Sequence, residues 1–391
     1  MTNNLQPATR ATKMFFLVCG LALSSWAPMV PFAKDRLQLN DSSLGLLLLF
    51  LGAGAICAMP FAGWLINRVG SRLVMVVSAL IIAFSLPTLL LLATWATMAP
   101  ALFVFGAGIG CIDVAMNNHG AVIQNHLGKP IMSSLHGLFS VGGLLGPLLI
   151  AMLIRLGLEP VFGALTVSVV LLALTFSQHS SLLKSDEEKS LTEPPLKDVK
   201  NKDQKPAWLN STVIFLGAMC FVAFLSEGAM LDWGALLLHD YKGVDKALSG
   251  LGYAFFSVAM AVMRLFGDKI VSRFSSKMVV VTGSIIAFAG YSCILFAPWM
   301  SVTLLGFVLI GIGASNIVPV FFSAAGSMKE VSSSSAVSIM STIGYAGQLA
   351  GPALLGLLAQ QFTLPIALFV TGSMLLAAGF SYLMSEDKKR G

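Results

Sequence analysis

Residues 43–66 read SLGLLLLFLGAGAICAMPFAGWLI, an apolar run in which no Asp, Glu, Lys or Arg occurs. An α-helix needs about 20 such residues to cross the hydrocarbon core of a bilayer. The rest of the chain has the same character, since 56% of its 391 residues are hydrophobic and 11% are charged. Soluble domains carry about 25% charged residues, and the mean hydropathy here is +0.85. We therefore expect an integral membrane protein that is embedded in a lipid bilayer.

Twelve apolar stretches of comparable length follow one another along the chain. The predicted spans are 14–33, 43–66, 73–94, 99–124, 132–155, 160–179, 209–238, 248–270, 277–297, 301–326, 335–360 and 364–384. One sizeable polar segment, residues 180–208, separates the first six spans from the last six, and its acidic run is typical of a solvated linker. The predicted organisation is an N-terminal six-helix bundle over 1–179, a linker over 180–208 and a C-terminal six-helix bundle over 209–391.

Positively charged residues lie mainly on one side of the predicted spans. Of the 24 Lys and Arg, eighteen lie at the two termini or beside the loops that follow even-numbered spans, and five lie beside the loops that follow odd-numbered spans. This count assigns Arg155, Lys269 and Lys277, at span ends, to the adjoining loop, and the remaining cation, Arg264, lies deeper within a span. By the positive-inside rule, both termini and the 180–208 segment are expected in the cytoplasm. The cations are dispersed at helix ends and form no single basic face, so we expect no nucleic-acid partner.

A repeat underlies the twelve spans. An offset of 205 residues relates the Arg after span two, the Gly pair of span four and the Gly-x-x-x-Gly-Pro run of span five to counterparts in the second half. The matched positions are Arg68 with Arg273, Gly106 and Gly108 with Gly311 and Gly313, and Gly142, Gly146 and Pro147 with Gly347, Gly351 and Pro352. Two six-helix halves of the same orientation indicate a duplicated transporter with its binding site between the halves.

Residues 63–72 read GWLINRVGSR and lie between spans two and three. This run resembles the cytoplasmic loop motif G-x-L-x-D-R-x-G-R-R of the major facilitator superfamily of transporters. The chain departs from the motif at Asn67, where the family has Asp, and at Ser71, where it often has Arg. Asn can cap a helix but brings no charge. The resemblance implies an all-α integral membrane fold of twelve transmembrane helices, in two pseudo-symmetric six-helix bundles that rock about a central site.

Four further segments resemble a bacterial inner-membrane subgroup of that superfamily, related to fucose-permease-type carriers. They are residues 113–120, 132–147, 227–233 and 264–268. The resemblance implies a multi-pass protein of the bacterial inner membrane that acts on a sugar-like small molecule. We expect a monomer that uses neither a cofactor nor a metal ion.

Charged residues inside the spans mark the expected pathway. A charge at mid-bilayer costs about 2.5–3.5 kcal/mol on insertion scales, so it is expected to face a cavity or a partner. Such residues occur in the interior of spans four, seven and eight. Spans three, six, nine and twelve, which lie outside the cavity in the superfamily, have none apart from Lys277 at the first position of span nine. Glu227 and Asp113 are the candidates for proton coupling, since carboxyl groups within membrane helices serve as proton relays. The alternative for Asp113 is a polar cluster that packs helices together.

The remaining candidates form two sets. The expected substrate-binding residues are Trp26, Asn117, Asn118, Trp233, Arg264, Asn316, Tyr345 and Gln348. The expected gate residues are Asn67, Arg68, Arg72, His119, His136, Asp268 and Arg273. Helix packing is the alternative for the two Trp, and helix packing and proton transfer are the alternatives for the two His. For Arg264 the alternative is a local ion pair with Asp268, which lies four residues further along the same helix.

These patterns favour a secondary active transporter that moves a small polar, sugar-like solute by alternating access, coupled to protons in symport. The alternative within transport is proton-driven efflux of a drug, siderophore or metabolite. An enzyme is not expected, since the sequence contains no H-E-x-x-H, no G-x-S-x-G and no G-x-x-x-x-G-K-[ST]. A channel is a further alternative, but duplicated spans with carboxylates in both halves favour a carrier.

Overall fold

The computed structural model describes residues 5–192, 207–245 and 248–387, and helices dominate these ranges. The first half contains α1 (Gln6–Ser25), α2 (Val30–Leu37), α3 (Asp41–Val69), α4 (Ser71–Thr88), α5 (Trp95–Leu127), α6 (Met132–Arg155), α7 (Pro160–Gln178) and α8 (Ser185–Leu191). The second half contains α9 (Ser211–Leu236), α10 (Leu251–Phe296), α11 (Met300–Ala314), α12 (Ile317–Gly326), α13 (Ser333–Gln361) and α14 (Leu364–Asp387). Some cations used for the topology prediction lie outside the described residues: Lys197, Lys200, Lys202, Lys205, Lys246, Lys388, Lys389 and Arg390.

Eleven stretches in the described ranges are long and apolar enough to cross a membrane. They account for the twelve predicted spans because α10, at 46 residues, takes in both 248–270 and 277–297. The chain turns at Ser275, whose φ of 65° and ψ of 153° are not helical. Residues other than Gly rarely adopt a positive φ. Ser275 therefore divides α10 into two membrane-crossing parts, which we call α10a (251–274) and α10b (276–296).

The helices cluster into two compact units. The N unit contains Met1–Lys129, Leu138–Asn210 and Ala325–Ile339, and the C unit contains Pro130–Gly137, Ser211–Ala324 and Met340–Gly391. Each unit therefore combines most of one half of the sequence with one short segment from the other half. The domain boundaries drawn from the sequence, on either side of 180–208, stay a prediction.

The 205-residue repeat corresponds to a helix contact that is present in both units. In the N unit, Gly106 of α5 lies against the backbone of Leu51 in α3. In the C unit, Gly311 of α11 lies against the backbone of Phe256 in α10a. A Cβ at either glycine would overlap the carbonyl oxygen that faces it, so a small residue is needed for this close approach of membrane helices. Leu51 and Phe256 are themselves 205 positions apart, so the repeat extends to the contacting residues.

Charged side chains cover both ends of α4 in the N unit. At its C-terminal end, Arg36 donates from Nε to the Leu92 carbonyl at 3.0 Å and from Nη2 to the Leu89 carbonyl at 2.8 Å. At its N-terminal end, Oε2 of Glu188 accepts the N–H of Ser71 at 2.7 Å. Helix C-termini carry partial negative charge and helix N-termini partial positive charge. Each side chain therefore stabilises the helix end that it contacts.

The C unit repeats the cation at the end of its third span. Lys242 follows α9, and its Nζ donates to the carbonyls of Ala297 at 2.8 Å and Leu295 at 3.4 Å, where α10b ends. From the sequence alone, Arg36 and Lys242 are positive charges in loops. In the structure both satisfy carbonyl groups at a helix C-terminus, which have no partner within the helix.

The predicted linker stays a prediction, but some of its side chains within residues 180–192 are buried against the protein. Leu183 is buried, and Glu188 on α8 is 5% exposed. Asp186 and Glu187 of the same acidic run are exposed. Successive helix positions point in different directions, so α8 turns one carboxylate of the run toward the protein and leaves the other two in solvent.

Candidate functional site

An ion pair between a buried arginine and a partly buried glutamate joins α9 to α10a in the C unit. Nη2 of Arg264 lies 2.5 Å from Oε1 of Glu227, and the two side chains are 5% and 19% exposed, respectively. Removing one member of such a pair leaves an uncompensated charge in an environment of low dielectric constant. The residue expected as a proton carrier and a residue expected as a substrate ligand are therefore in direct contact.

Arg264 also contacts the break in the tenth span. Residues 315–316 separate α11 from α12, and Nε of Arg264 donates to the Ser315 carbonyl at 3.0 Å. A helix interrupted inside the membrane frees backbone groups, and transporters use such interruptions to bind ions and solutes. The ion pair with Glu227 joins Arg264 to another helix. The local pair of Arg264 with Asp268 stays a prediction.

In the N unit, α5 carries Asp113 and Asn117 one turn apart, and both are buried. Nδ2 of Asn117 donates to Oδ1 of Asp113 at 3.3 Å and to the Asp113 main-chain carbonyl at 2.9 Å. Their i, i+4 spacing predicts that they share a helix face. The structure brings these two residues together, and their roles in proton coupling and substrate binding stay predictions.

Trp26 and Trp233 lie in the first helical span of each half. Nε1 of each indole is buried and has no hydrogen-bond partner among the described residues. An indole N–H can only donate, and a buried donor without an acceptor costs about 1–3 kcal/mol. The described part of the protein therefore leaves both indole donors without an acceptor.

Asn118, expected as a substrate ligand, lies instead in a cluster with α8. Its Nδ2 donates to Oε1 of Glu188 at 2.8 Å and to Oγ of Ser71 at 2.9 Å. The Ser71 hydroxyl donates to the same carboxylate oxygen at 2.6 Å. With the Ser71 N–H, the buried carboxylate has three donors from two residues. The substrate role of Asn118 stays a prediction; its Nδ2 has protein partners, and its Oδ1 has none among the described residues.

His119 connects the segment before α8 to α5 and α1. The Leu183 N–H donates to Nε2 of His119 at 3.1 Å, and Nδ1 lies 2.9 Å from Oγ1 of Thr12. A ring nitrogen that accepts from an amide carries no hydrogen, so this network assigns a neutral imidazole protonated at Nδ1. The Thr12 hydroxyl accepts that hydrogen, since its own goes to the Ala8 carbonyl at 2.7 Å. A ring engaged at both nitrogens favours packing over proton transfer, and its gate role stays a prediction.

The pKa of Glu188 provides a test of the α8 cluster. Burial raises this pKa above its ordinary value of 4.5, and hydrogen bonds from Ser71 and Asn118 oppose the rise. A folded-state pKa above the unfolded-state pKa means that the folded protein binds the proton more tightly. The resulting contribution to the free energy of unfolding is complete below pH 4.5 and is lost as the pH rises through the raised pKa.

We therefore expect the stability difference between the wild type and Glu188→Gln to fall with rising pH above 4.5 and then to become constant. Thermal unfolding of both proteins in detergent over a pH series measures this difference. A difference that does not change with pH would show that Glu188 has the same proton affinity in the folded and unfolded states.

Two expected gate residues contact the first turn of a helix within their own unit. Oδ1 of Asn67 accepts from the Ser334 hydroxyl at 2.6 Å, at the start of α13. Oδ1 of Asp268 accepts from the Ser134 N–H at 3.0 Å, at the start of α6. First-turn N–H groups lack partners within their helix, and Asp268 supplies an acceptor for one of them. Asn67 supplies its acceptor without a charge, and both gate roles stay predictions.

The repeated arginines each lie near an aromatic ring. The Arg68 guanidinium is 4.1 Å from the centre of the Trp64 ring, and that of Arg273 is 5.5 Å from the Phe274 ring. Such cation–π contacts contribute about 0.5–1 kcal/mol at exposed sites. Arg72 is partly buried, and its gate role stays a prediction.

The other expected residues are distributed within the C unit. His136 is buried, with its ring 5.3 Å from that of Phe322. Asn316 is buried at the α11–α12 break, and Tyr345 lies 5.4 Å from the Phe224 ring. Gln348 is exposed. Their assignments as gate or substrate residues stay predictions.

The contact between Glu188 and Ser71 was not predicted from the sequence. The sequence indicates that a helix begins at Ser71, because Gly70 precedes it and an apolar run follows. In the structure Gly70 has a φ of 83°. A helix start needs an acceptor for its first N–H groups. Nothing in the pattern indicates that Glu188, 117 positions later, supplies it.

The described ranges contain no group of three or more His, Cys, Asp and Glu side chains placed to hold a metal ion. The absence of a metal and of a cofactor stays an expectation.

The sequence profile of the Major Facilitator Superfamily matches residues 14–328 and 207–391. The chain belongs to the Major Facilitator Superfamily. This confirms the recognition from the 63–72 motif and the fold of twelve transmembrane helices in two bundles. The superfamily consists of membrane transporters of small molecules, so the chain is a multi-pass transporter.

Relatives match nearly the whole length of this superfamily member. An uncharacterized MFS-type transporter of Yersinia pestis is 40% identical over 371 residues, which cover 95% of this chain and 94% of the relative. The membrane protein MosC of Rhizobium meliloti is 29% identical over 356 residues, which cover 90% of this chain and 84% of MosC.

Solved structures of the superfamily superpose on the chain as well. The fucose:proton symporter FucP of E. coli matches with a TM-score of 0.75 and 14% identity, covering 98% of this chain and 99% of FucP. The proton:xylose symporter XylE matches with a TM-score of 0.75 and 13% identity, covering 96% and 94%. At these identities the likeness shows the shared fold alone.

Proposed function

We propose that this transporter is a secondary active carrier that moves a small polar, sugar-like solute by alternating access, together with protons. The observation that carries the proposal is the contact of Glu227 with Arg264, which also binds the Ser315 carbonyl at the broken tenth span. One protonatable group, one permanent cation and one interrupted helix therefore meet inside the C unit.

The pair supplies a mechanism for coupling. A proton that binds the Glu227 carboxylate removes the negative charge opposite Arg264. The guanidinium keeps its charge, and a cation without a counter-charge inside the membrane is costly. Protonation therefore favours a rearrangement of Arg264 and of the break that it contacts, and release of the proton restores the pair. We propose Asp113, with Asn117 beside it, as a second protonatable site in the N unit.

The polar and aromatic candidates suit a solute that is rich in oxygen acceptors. Trp26 and Trp233 each present an indole N–H without a protein acceptor, next to an aromatic face that can cover the apolar side of a sugar ring. Asn117, Asn316, Tyr345 and Gln348 supply further donors and acceptors in this proposal. FucP and XylE, which share the fold, are symporters of fucose and xylose by name, and this supports the solute class by analogy.

In this proposal the protein lies in the bacterial inner membrane as a monomer with both termini in the cytoplasm. The gate comprises the seven residues predicted from the sequence, of which Asn67 and Asp268 contact helix starts. The charge distribution of the loops supports this orientation.

Transport in liposomes tests the proposal. The purified protein is reconstituted, and uptake of a panel of labelled pentoses and hexoses is measured with and without an acidic exterior. We expect saturable uptake that the pH gradient stimulates and that makes the exterior more alkaline. Equal uptake with and without the gradient would refute proton coupling. Solute that leaves the vesicles as protons enter would identify the efflux alternative.

Trp26→Phe is expected to weaken binding of the transported solute about three- to tenfold, because Phe keeps the aromatic face and loses the donor, a hydrogen bond worth about 0.5–1.5 kcal/mol. The measurement is the ligand-induced shift of the unfolding temperature over a solute titration. Trp299→Phe is the matched control, since Trp299 is 67% exposed at the end of a span. Equal affinities for Trp26→Phe and the wild type would remove Trp26 from the binding site.

A further inference from the structure

The C unit contains an apolar cavity of about 210 Å³ between α10a, α10b and α11. The lining side chains are mostly apolar and include Met263, Ile270, Phe274, Met278, Ile286 and Ile312. The buried side chain of Asn316, at the break in the tenth span, also contributes to the lining. Sites for drug-sized ligands typically measure about 300–1,000 Å³. The cavity is therefore suited to a slender apolar group rather than to a whole drug-sized molecule.

The cavity extends from the helix break at Ser275 along the membrane-crossing helices. Phe274 and Met278, on either side of the break, are 45% and 53% exposed. At the other end lie Met263 and Ile286. The positions of Phe274 and Met263 are separated along α10a by about 16 Å, from a helical rise of 1.5 Å per residue. An acyl chain that enters from the membrane surface has this direction and an extended shape.

Positive charge is concentrated where the cavity opens. Lys269, Arg273 and Lys277 lie around the break in the sequence, and the Arg273 guanidinium is 5.5 Å from the ring of Phe274, which lines the cavity. Asp268, the carboxylate next to Lys269, accepts the Ser134 N–H. Basic clefts between membrane helices bind anionic lipid head groups.

We propose that this cavity binds one acyl chain of an anionic phospholipid, whose phosphate group lies against Arg273 with Lys269 and Lys277 nearby. The apolar lining selects the chain and the cations select the head group. A zwitterionic phospholipid offers the same chain without the net negative charge. A fatty acid offers a single chain with a carboxylate in place of the phosphate.

Native mass spectrometry of the purified wild-type protein tests this inference. The protein is titrated with phosphatidylglycerol, phosphatidylcholine or oleate in detergent. We expect one phosphatidylglycerol to be retained in preference to the other two. Arg273→Ala is expected to weaken its retention about fivefold, the effect of one Lys or Arg at an anionic membrane surface. Ile286→Trp is expected to abolish retention, because the indole fills the cavity.

Each variant has a matched control. Lys129→Ala removes an exposed cation that does not line this cavity, and Ile285→Trp adds the same bulk at a position that is 46% exposed and does not line it either. Both controls are expected to retain phosphatidylglycerol as the wild type does. Circular dichroism and gel filtration establish that Ile286→Trp is folded, and if it is not, the surface variant Arg273→Ala decides.

Three results would overturn the proposal. They are equal retention of phosphatidylglycerol and phosphatidylcholine, stronger retention of oleate, and unchanged retention in Arg273→Ala. The test measures lipid binding without any transported solute, so its outcome is independent of the transport proposal.

Discussion

Glu227→Gln is expected to abolish the stimulation of solute uptake by a pH gradient while solute exchange across the membrane continues. Gln keeps the size and an oxygen acceptor for Arg264, but it cannot take up or release a proton. The variant is therefore held permanently in the neutral form of residue 227. The measurements are gradient-driven uptake and equilibrium exchange of labelled solute in the same vesicles.

Asp240→Asn is the matched control, because it makes the same chemical change at an exposed position in the π-helical turn after α9. It is expected to respond to the gradient as the wild type does. Undiminished stimulation in Glu227→Gln would contradict coupling through this residue. Loss of stimulation in both variants would show that the assay responds to any lost carboxylate.

Replacement of Arg264, the partner of Glu227 in the ion pair, is expected to lower the stability of the protein. Arg264→Ala leaves the Glu227 carboxylate without its cation, and breaking a buried pair in this way costs about 3–5 kcal/mol. The double variant Glu227→Gln with Arg264→Ala is expected to be less destabilised than the sum of the single changes, since neither charge remains. Additive losses would show that the two side chains do not stabilise each other.

Glu188→Ala is expected to lower the free energy of unfolding by about 3 kcal/mol or more. It deprives the Ser71 N–H and the Ser71 hydroxyl of their acceptor, and each buried group left unsatisfied costs about 1–3 kcal/mol. The Asn118 amide loses one of its two acceptors and keeps Oγ of Ser71. The substitution also removes the negative charge from the N-terminus of α4. Thermal unfolding in detergent measures the loss, and proteolysis of the 180–192 segment is expected to become faster.

Asp186→Ala provides the comparison, because Asp186 lies on α8 two positions earlier and is exposed. It is expected to change the free energy of unfolding by less than about 0.5 kcal/mol, as surface substitutions usually do. Equal losses of unfolding free energy in the two variants would mean that the net negative charge of α8 provides the stabilisation, and not the contact of Glu188 with Ser71.

The membrane-spanning helices could be predicted because the hydrocarbon core of a bilayer restricts which backbone structures are stable. A backbone inside hydrocarbon must satisfy its own hydrogen bonds, so each apolar run of sufficient length becomes a helix. The offset of 205 residues predicted repeated packing for a similar reason. Gly106 and Gly311 each lie where the facing backbone leaves no room for a Cβ, and small residues at close helix crossings are visible in the sequence.

The partners of the buried charges could not be predicted in the same way. Glu227 and Arg264 each stand out as charges within spans, but the pair depends on how α9 packs against α10a. The burial of Glu188 within the 180–208 segment could not be predicted for the same reason. An acidic run is normally solvated, and Glu188 is buried only because Ser71 and Asn118 converge on it from two other helices.

The sequence by itself determined that this is a twelve-span, duplicated membrane transporter, because hydrophobic length, charge distribution and repeat spacing are properties of the linear chain. Only the tertiary structure decided that Arg264 meets Glu227, that Arg36 and Glu188 cover the two ends of α4, and that α10 and α11 enclose an apolar cavity. These contacts join residues that are far apart in the chain. Their energies arise from distance and desolvation in three dimensions, which residue order alone does not specify.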